Sequence, residues 1–372
     1  MARYRGLEAT LVRLDQRLKW GTAGSRPMLR PHMITASSSA RLTPAAASTT
    51  ANWRQLWRDA VTDAGELLAM LGLSHLAGNL PAADAGFAMR VPRGFVARMR
   101  HGDARDPLLL QVLPQLAECD LVAGFVHDAV GDLAARAAHG VLHKYHGRAL
   151  LIASGSCAVH CRYCFRRHFP YAETTAAAGR WQQAATYVRA HADVQELILS
   201  GGDPLSLATS KLAELVTALA DVPHLQRLRI HTRLPVVLPE RVDDELLDWI
   251  GALPWPVAVV LHVNHAAELD SAVAAACARL RAAGALLLNQ SVLLRDINDD
   301  IETLAALSER LFACGVLPYY LHQLDRVHGA AHFEVDDARA RALHATLRAR
   351  LPGYLLPQLV REEPGKPSKT PL

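Results

Sequence analysis

A chain of 372 residues with 40 Lys+Arg against 36 Asp+Glu has a net charge of +4, too small a basic excess for a dedicated nucleic-acid binder. Its 51% hydrophobic and 20% charged residues are enough apolar material for a sizeable core, which excludes global disorder. The longest apolar candidates, 257–263 and 272–294, are broken by His, Arg, Asn and Gln, so none reaches the ~18 residues of a membrane helix. No nucleic acid and no membrane is therefore expected as a partner. Arg3, Arg5 and Glu8 lead into no apolar leader region, and the expected location is cytoplasmic.

In chain order, residues 1–51 form a variable extension. Its part 21–51 is rich in Ala, Ser, Thr and Pro without a period and reads as mobile. The piece before it, LEATLVRLDQRLKW, reads as an amphipathic helix or a frayed tail. Residues 52–144 are predicted to be mostly helical: WRQLWRDAVTDAGELLAMLG has apolar residues at helical spacing with Gly72 as its stop. VPRGFVARMR and PLLLQVLPQLAE follow as shorter helices, with GDARDP as the turn between them.

From 145 to 335 the rhythm changes. Short apolar runs recur at 149–154, 196–200, 228–232, 257–263, 285–294 and 316–324. Helix-like stretches such as RWQQAATYVRAHA and AAELDSAVAAACARLRAAG separate them. After a longer first gap the repeat is about 30 residues, one βα unit, and continuously apolar runs are those of buried parallel strands. Six units predict an α/β fold, a partial (β/α)6 barrel, with an open doubly wound sheet as the rival. Residues 336–372 form a C-terminal segment. In a barrel the chemistry lies where strands end. The polar stretches fall there: the cysteine loop, Ser200–Asp203, His231–Arg233, His262–His265 and Gln323–Asp325.

Six cysteines are too few for a disulfide scaffold. Cys119, Cys277 and Cys314 are scattered in apolar surroundings and read as small buried hydrophobes. Cys157, Cys161 and Cys164 instead share one loop. Three thiolates there can hold three irons of a 4Fe–4S cluster and leave the fourth open, whereas a ferredoxin-type cluster needs a fourth cysteine. A zinc site completed by His160 or His168 is the rival, although the three-then-two spacing is unusual for zinc. In Ser200-Gly201-Gly202-Asp203-Pro204 two glycines permit close approach of backbone to a ligand. No Gly-Lys-Ser/Thr follows, which excludes a P-loop.

CxxxCxxC with Tyr163 before the last cysteine resembles the radical S-adenosylmethionine superfamily. CAVHCRYCFRRHFPYAE, SGGDPL, RLRIHTRLP, NQSVLLRDIND, PYYLHQLDRVHGAAHF and KPSKTPL, running from about residue 88 to the C-terminus with FVARMRHGDARDPLLLQVLP and LHKYHGRALL, narrow the resemblance to the lysine 2,3-aminomutase family. The resemblance implies a radical-SAM partial barrel and an isomerase that moves the amino group of L-lysine from C2 to C3, giving (R)-β-lysine. The implied cofactors are a 4Fe–4S cluster on Cys157, Cys161 and Cys164, S-adenosyl-L-methionine, and pyridoxal 5′-phosphate. Gly201, Gly202 and Asp203 are the implied contacts to the S-adenosylmethionine amino group, and Lys369 is the implied imine-forming lysine, with Lys366 as its competitor. Arg148 and Lys144 match the phosphate contacts, Lys144 replacing a more usual arginine. Arg166 matches the partner of the substrate carboxylate. Asp325 and Glu362 match the pair holding the substrate ε-ammonium, Glu362 replacing a more usual aspartate. His231, His262 and His265 either line the site or pack at strand ends.

By the same resemblance the partners are L-lysine, an electron donor such as flavodoxin or ferredoxin, and functionally elongation factor P with its β-lysine ligase. A homo-oligomer is left open. A catabolic lysine 2,3-aminomutase, or an aminomutase of another amino acid, keeps the same chemistry. The catabolic branch usually continues into a longer, cysteine-bearing C-terminus, and this chain has no cysteine after Cys314. A non-catalytic zinc or redox protein would explain the cysteines but not SGGDPL or SKTPL.

Overall fold

In the computed structural model, residues 52–81, 87–175 and 181–372 are described, and they belong to one compact unit. The expectations for residues 1–51 lie outside them. Ten strands form one open sheet in sequence order: β1 Arg136–Ala138, β2 Val141–Tyr145, β3 Arg148–Ser154, β4 Glu196–Gly201, β5 Arg227–Thr232, β6 Val257–His262, β7 Leu286–Val292, β8 Leu317–His322, β9 Gln358–Arg361 and β10 Thr370–Pro371. From β3 to β9 every neighbouring pair is parallel. β1, β2 and β3 form an antiparallel meander at one edge, and β10 turns back antiparallel on β9 at the other.

The six apolar runs are β3 to β8. Crossover helices 181–190, 209–217, 244–251, 271–282, 301–313 and 337–350 connect the parallel strands. Asp243, Asp270, Asp300 and Asp336 each accept a backbone N–H of the first turn of the helix they precede. Such caps are each worth about 0.5–2 kcal/mol and fix where four crossovers begin.

Side chains alternate across this sheet. Leu151, Leu199, Ile230, Val259 and Leu287 point outward and pack on Val188, Leu215, Leu246 and Val273 of the helices in one core cluster. Burying each such side chain contributes about 1.5–3 kcal/mol. The opposite face, with Arg148, Glu196, Arg229, His231, Gln290 and Tyr320, lines a single cavity of about 670 Å³. An apolar layer outside and a cavity inside make this a hollow partial barrel, not a doubly wound sheet. Strand-end polarity was the expectation, yet polar residues occur along the inner face as well. Glu196 and Arg229, on adjacent strands, pair at 2.6 Å.

Three local expectations are corrected. Within the region expected to be helical, residues 136–138 and 141–144 are strand. The single helix predicted over 53–72 is two, Trp53–Arg58 and Ala64–Met70, because Val61 between them makes an antiparallel bridge to Val91. Cys119 is exposed at the end of a short 3-10 turn, whereas Cys277 and Cys314 are buried as expected.

Candidate active site

The cavity gathers the residues implied for cluster, cofactor and substrate: Cys157, Cys161, Cys164, Gly201, Gly202, Asp203, Arg166, Lys144, Arg148, Asp325, Glu362 and Lys369 all line it, and the competing Lys366 does not. Of the histidines, His231 and His262 line it too. His265 instead caps a 3-10 turn, its Nδ1 accepting the Ala267 N–H at 3.1 Å. Burial first, then Arg233 and Arg166, pushes His262 down to about 3. Burial and Arg229 likewise hold His231 well below the ordinary range. Both imidazoles are therefore neutral at neutral pH and add no charge to the cavity. The Gln290 amide lies 2.9 Å from His262 Nε2.

The cysteine loop follows β3 and is anchored by the residues between its thiols. Arg162, in the middle of the motif, is 2% exposed. Its Nε donates to Glu118 Oε1 at 2.8 Å, and Arg167 Nη2 donates to Glu118 Oε2 at 2.7 Å. Burial alone would raise the Glu118 carboxyl, but the two guanidiniums hold it below its ordinary range. Glu118, from the preceding helical region, was not legible as a site residue. Glu118→Ala would leave two buried cations unpaired, a loss of about 3–5 kcal/mol. The expected outcome is a lower denaturant midpoint together with early loss of iron from the loop, followed by absorbance; an unchanged midpoint contradicts the anchoring.

All three thiols are free. Burial first, then Cys164, Asp203 and Cys161, pushes Cys157 well up, and burial with Cys161 pushes Cys164 up to about 11. Arg233 Nη1 lies 2.6 Å from Cys161 Sγ, and the same guanidinium pairs with Glu268 at 2.8 Å. A single tetrahedral zinc would draw three sulfurs to about 3.8 Å from one another. Among the described residues the one trio of ligand atoms lying within 4.8 Å of one another is His127, His168 and His328, not the cysteines. Separate irons of a cluster accept thiolates set further apart, so this donor set fits an iron–sulfur cluster better than one ion. His160, offered as a zinc ligand, bonds through Nδ1 to the Ala88 carbonyl at 2.9 Å.

The two glycines after β4 serve close approach. Gly201 has φ +120, and a Cβ there would stand 2.3 Å from the Ser154 carbonyl oxygen; one on Gly202 would stand 2.6 Å from that of Ser156. Gly202 N–H and Asp203 N–H donate to those carbonyls at 2.7 and 2.8 Å. The segment is thus sewn to the backbone that leads into Cys157. Asp203 faces the framework: its carboxylate accepts from Thr232 Oγ1 at 2.7 Å, Arg233 N at 2.8 Å and Leu234 N at 3.0 Å. Burial raises it to about 6 against those bonds.

At the far edge, the chain after β9 loops out and returns as β10, with Thr370 opposite Arg361. This hairpin sets Lys369 beside Glu362, Nζ to Oε2 at 2.6 Å. Glu362 Oε1 also accepts from Tyr145 Oη at 2.6 Å, and Lys144 stands 3.6 Å away. Burial would raise Glu362, but these partners, Lys369 foremost, hold it low. Lys366 is exposed on the loop. Lys144 pairs with Asp132 at 2.6 Å, and Asp132 pairs again with Arg166 Nε at 2.7 Å. Arg166 Nη1 donates to Ser200 at 2.9 Å, and its Nη2 has no partner among the described residues. Arg148 lies over the Tyr145 ring at 4.5 Å and makes no ion pair among the described residues. Asp325 likewise has no hydrogen-bond or ion-pair partner for its carboxylate among them. It is half-buried only because it faces the cavity, and burial raises it to about 7, opposed by Lys369 and reinforced by Glu362.

A hollow partial barrel whose first loop presents three thiols defines an iron–sulfur protein, and residues 146–226 match the family model described as a 4Fe-4S single cluster domain. The L-lysine 2,3-aminomutase of Escherichia coli (strain K12) is 49% identical over 325 residues, 86% of this chain and 94% of that one. That of Haemophilus influenzae is 44% identical over 327 residues, 86% of this chain and 95% of that one. A solved radical SAM methyltransferase from Sphaerobacter thermophilus is 18% identical, covers 59% of this chain and 68% of its own, and superposes with a TM-score of 0.41. The chain belongs to the L-lysine 2,3-aminomutase family.

Proposed function

We propose that this protein isomerises L-lysine to (R)-β-lysine with S-adenosyl-L-methionine on a 4Fe–4S cluster and pyridoxal 5′-phosphate on Lys369. The observation that carries the reading is Asp325: an acid facing the cavity, without a partner among the described residues, in a family whose relatives are named L-lysine 2,3-aminomutase. A buried unpaired carboxylate is costly unless a cation meets it, and the ε-ammonium of lysine is that cation. Arg166, fixed by Asp132 and Ser200, turns its free Nη2 to the substrate carboxylate at the other end.

The donors fit the implied groups. Cys157, Cys161 and Cys164 would hold three irons, with Arg233 compensating the charge on Cys161. Gly201 and Gly202 would receive the S-adenosylmethionine amino group through backbone, while Asp203 holds that backbone in place. Arg148, free of any ion pair among the described residues, would meet the phosphate, and Lys144 would contribute from its pair with Asp132. When bound, S-adenosylmethionine on the cluster supplies a hydrogen-abstracting radical, and pyridoxal phosphate supplies a π-system able to hold an unpaired electron during nitrogen migration. The chain's own part is orientation. The barrel wall excludes water, neutral His231 and His262 add no competing charge, and Glu362 holds the Lys369 amine in place until the cofactor takes it.

The product serves elongation factor P in this reading. The motif resemblance supports that use, and loss of the β-lysyl mass on that factor when the gene is deleted is the check. A flavodoxin or ferredoxin would supply the electron. The activity itself is tested by offering lysine, arginine, ornithine and glutamate separately to the anaerobic, reduced, cofactor-loaded enzyme. β-Lysine from lysine is expected as the main product. Glutamate would set a carboxylate against Asp325 and Glu362, a like-charge contact costing several kcal/mol, so β-glutamate as the main product overturns the assignment.

A further inference from the structure

We propose that His127, His168 and His328 form a divalent-metal site, built for zinc, that clasps three loops beside the cavity and is separate from the iron–sulfur cysteines. The three come from distant parts of the chain. His127 lies before β1, His168 follows Cys164 by four residues, and His328 follows Asp325 by three. One nitrogen from each lies within 4.8 Å of the others. The His127 and His168 rings stack at 4.3 Å, and His328 meets His127 edge-on at 5.4 Å.

The backbone makes this meeting specific. Val126 and Val327 form an isolated parallel bridge, in which Val126 N–H donates to Arg326 O and His328 N–H donates to Val126 O, both at 2.9 Å. That bridge sets His127 and His328 side by side. His168 Nε2 lies 3.1 Å from the His328 carbonyl oxygen, which leaves its Nδ1 available. His328 Nε2 is buried with no hydrogen-bond partner, and His127 makes no side-chain hydrogen bond among the described residues. Two imidazoles without hydrogen-bond partners among the described residues, turned against a third, can satisfy their nitrogens by sharing a cation. Arg167, one residue before His168, is already paired with Glu118 at 2.7 Å.

Imidazole is a ligand for zinc at about 2.0–2.1 Å, and three such nitrogens on one tetrahedral ion stand about 3.3 Å apart, leaving the fourth position to water. The largest closure needed from 4.8 Å is therefore about 1.5 Å, within reach of side-chain torsions. Because the ligands sit on the loops carrying Cys164 and Asp325, the ion would stiffen both.

The test uses the full chain loaded anaerobically with its iron–sulfur cluster, stripped of other metals by chelation, and dialysed against zinc(II). Wild type is expected to retain one zinc per chain above its iron, with an X-ray absorption spectrum showing nitrogen neighbours at about 2.0 Å. His127→Ala, at an exposed position, and His328→Gln should each weaken zinc binding at least about tenfold without changing the iron content. No retained zinc, zinc with sulfur neighbours at about 2.3 Å, or retention unchanged in both variants would each overturn the site and leave the histidines as a stacked aromatic cluster.

Discussion

Replacing Lys369 with alanine is expected to abolish β-lysine formation and the pyridoxyl label that borohydride fixes on the chain, while the iron–sulfur absorbance stays. Lysine amines engage pyridoxal phosphate, and two compete in KPSKTPL. The β9–β10 hairpin settles which one reaches the cavity: Lys369 lines it and touches Glu362 at 2.6 Å, while Lys366 is exposed. The cysteines sit on the loop after β3, and none of them hydrogen-bonds to Lys369 among the described residues. Activity should therefore fall to background with cluster content unchanged. Lys366→Ala is the control and should keep both label and turnover. A label that survives Lys369→Ala and disappears in Lys366→Ala would move the cofactor by three residues. Loss of the cluster in Lys369→Ala would mean that the cysteine loop depends on Lys369.

Much of this was legible in the sequence because it is local. Each of the six apolar runs is a strand, since a parallel strand buried by helices must be apolar along its length. The thiols share one loop, so their spacing survives into the fold. What was not legible is what depends on pairing between distant segments. β1 and β2 carry no strand pattern strong enough to outweigh their helical neighbourhood; they exist because β3 offers them an edge. Val61 breaks a helical period because Val91 claims it. Glu118 looks like an ordinary surface charge until the fold buries it between Arg162 and Arg167, and Arg233, legible only as part of a polar strand end, is set against Cys161. The resemblance pointed to Glu362 as a substrate contact, but only the hairpin register shows it paired with Lys369 in the free protein. The hollow interior was also invisible: a run such as ELILS reads as apolar, and its polar ends, Glu196 and Ser200, share the inner face with Ile198.

Asp325→Asn should reduce kcat/KM for lysine by about two to four orders of magnitude while leaving iron content and the borohydride label intact. Asparagine keeps the shape and loses the charge. The ammonium of the substrate then enters a desolvated pocket without its counter-ion, a loss of about 3–5 kcal/mol, and each 1.36 kcal/mol is tenfold in rate. The same group predicts a pH dependence. Burial lifts Asp325 to about 7, with Glu362 adding to the lift and Lys369 and Lys144 opposing it. Only the ionised form holds an ammonium, so kcat/KM for lysine should rise as pH rises through that value. Once the Lys369 amine is engaged it no longer opposes the lift, which moves this limb upward, not downward. In Asp325→Asn the limb should be absent, and what activity remains should be flat across it. A wild-type profile that falls between pH 6 and 8, or an Asp325→Asn enzyme with undiminished β-lysine formation, would remove Asp325 from the substrate site and with it the reason for assigning a cationic side chain.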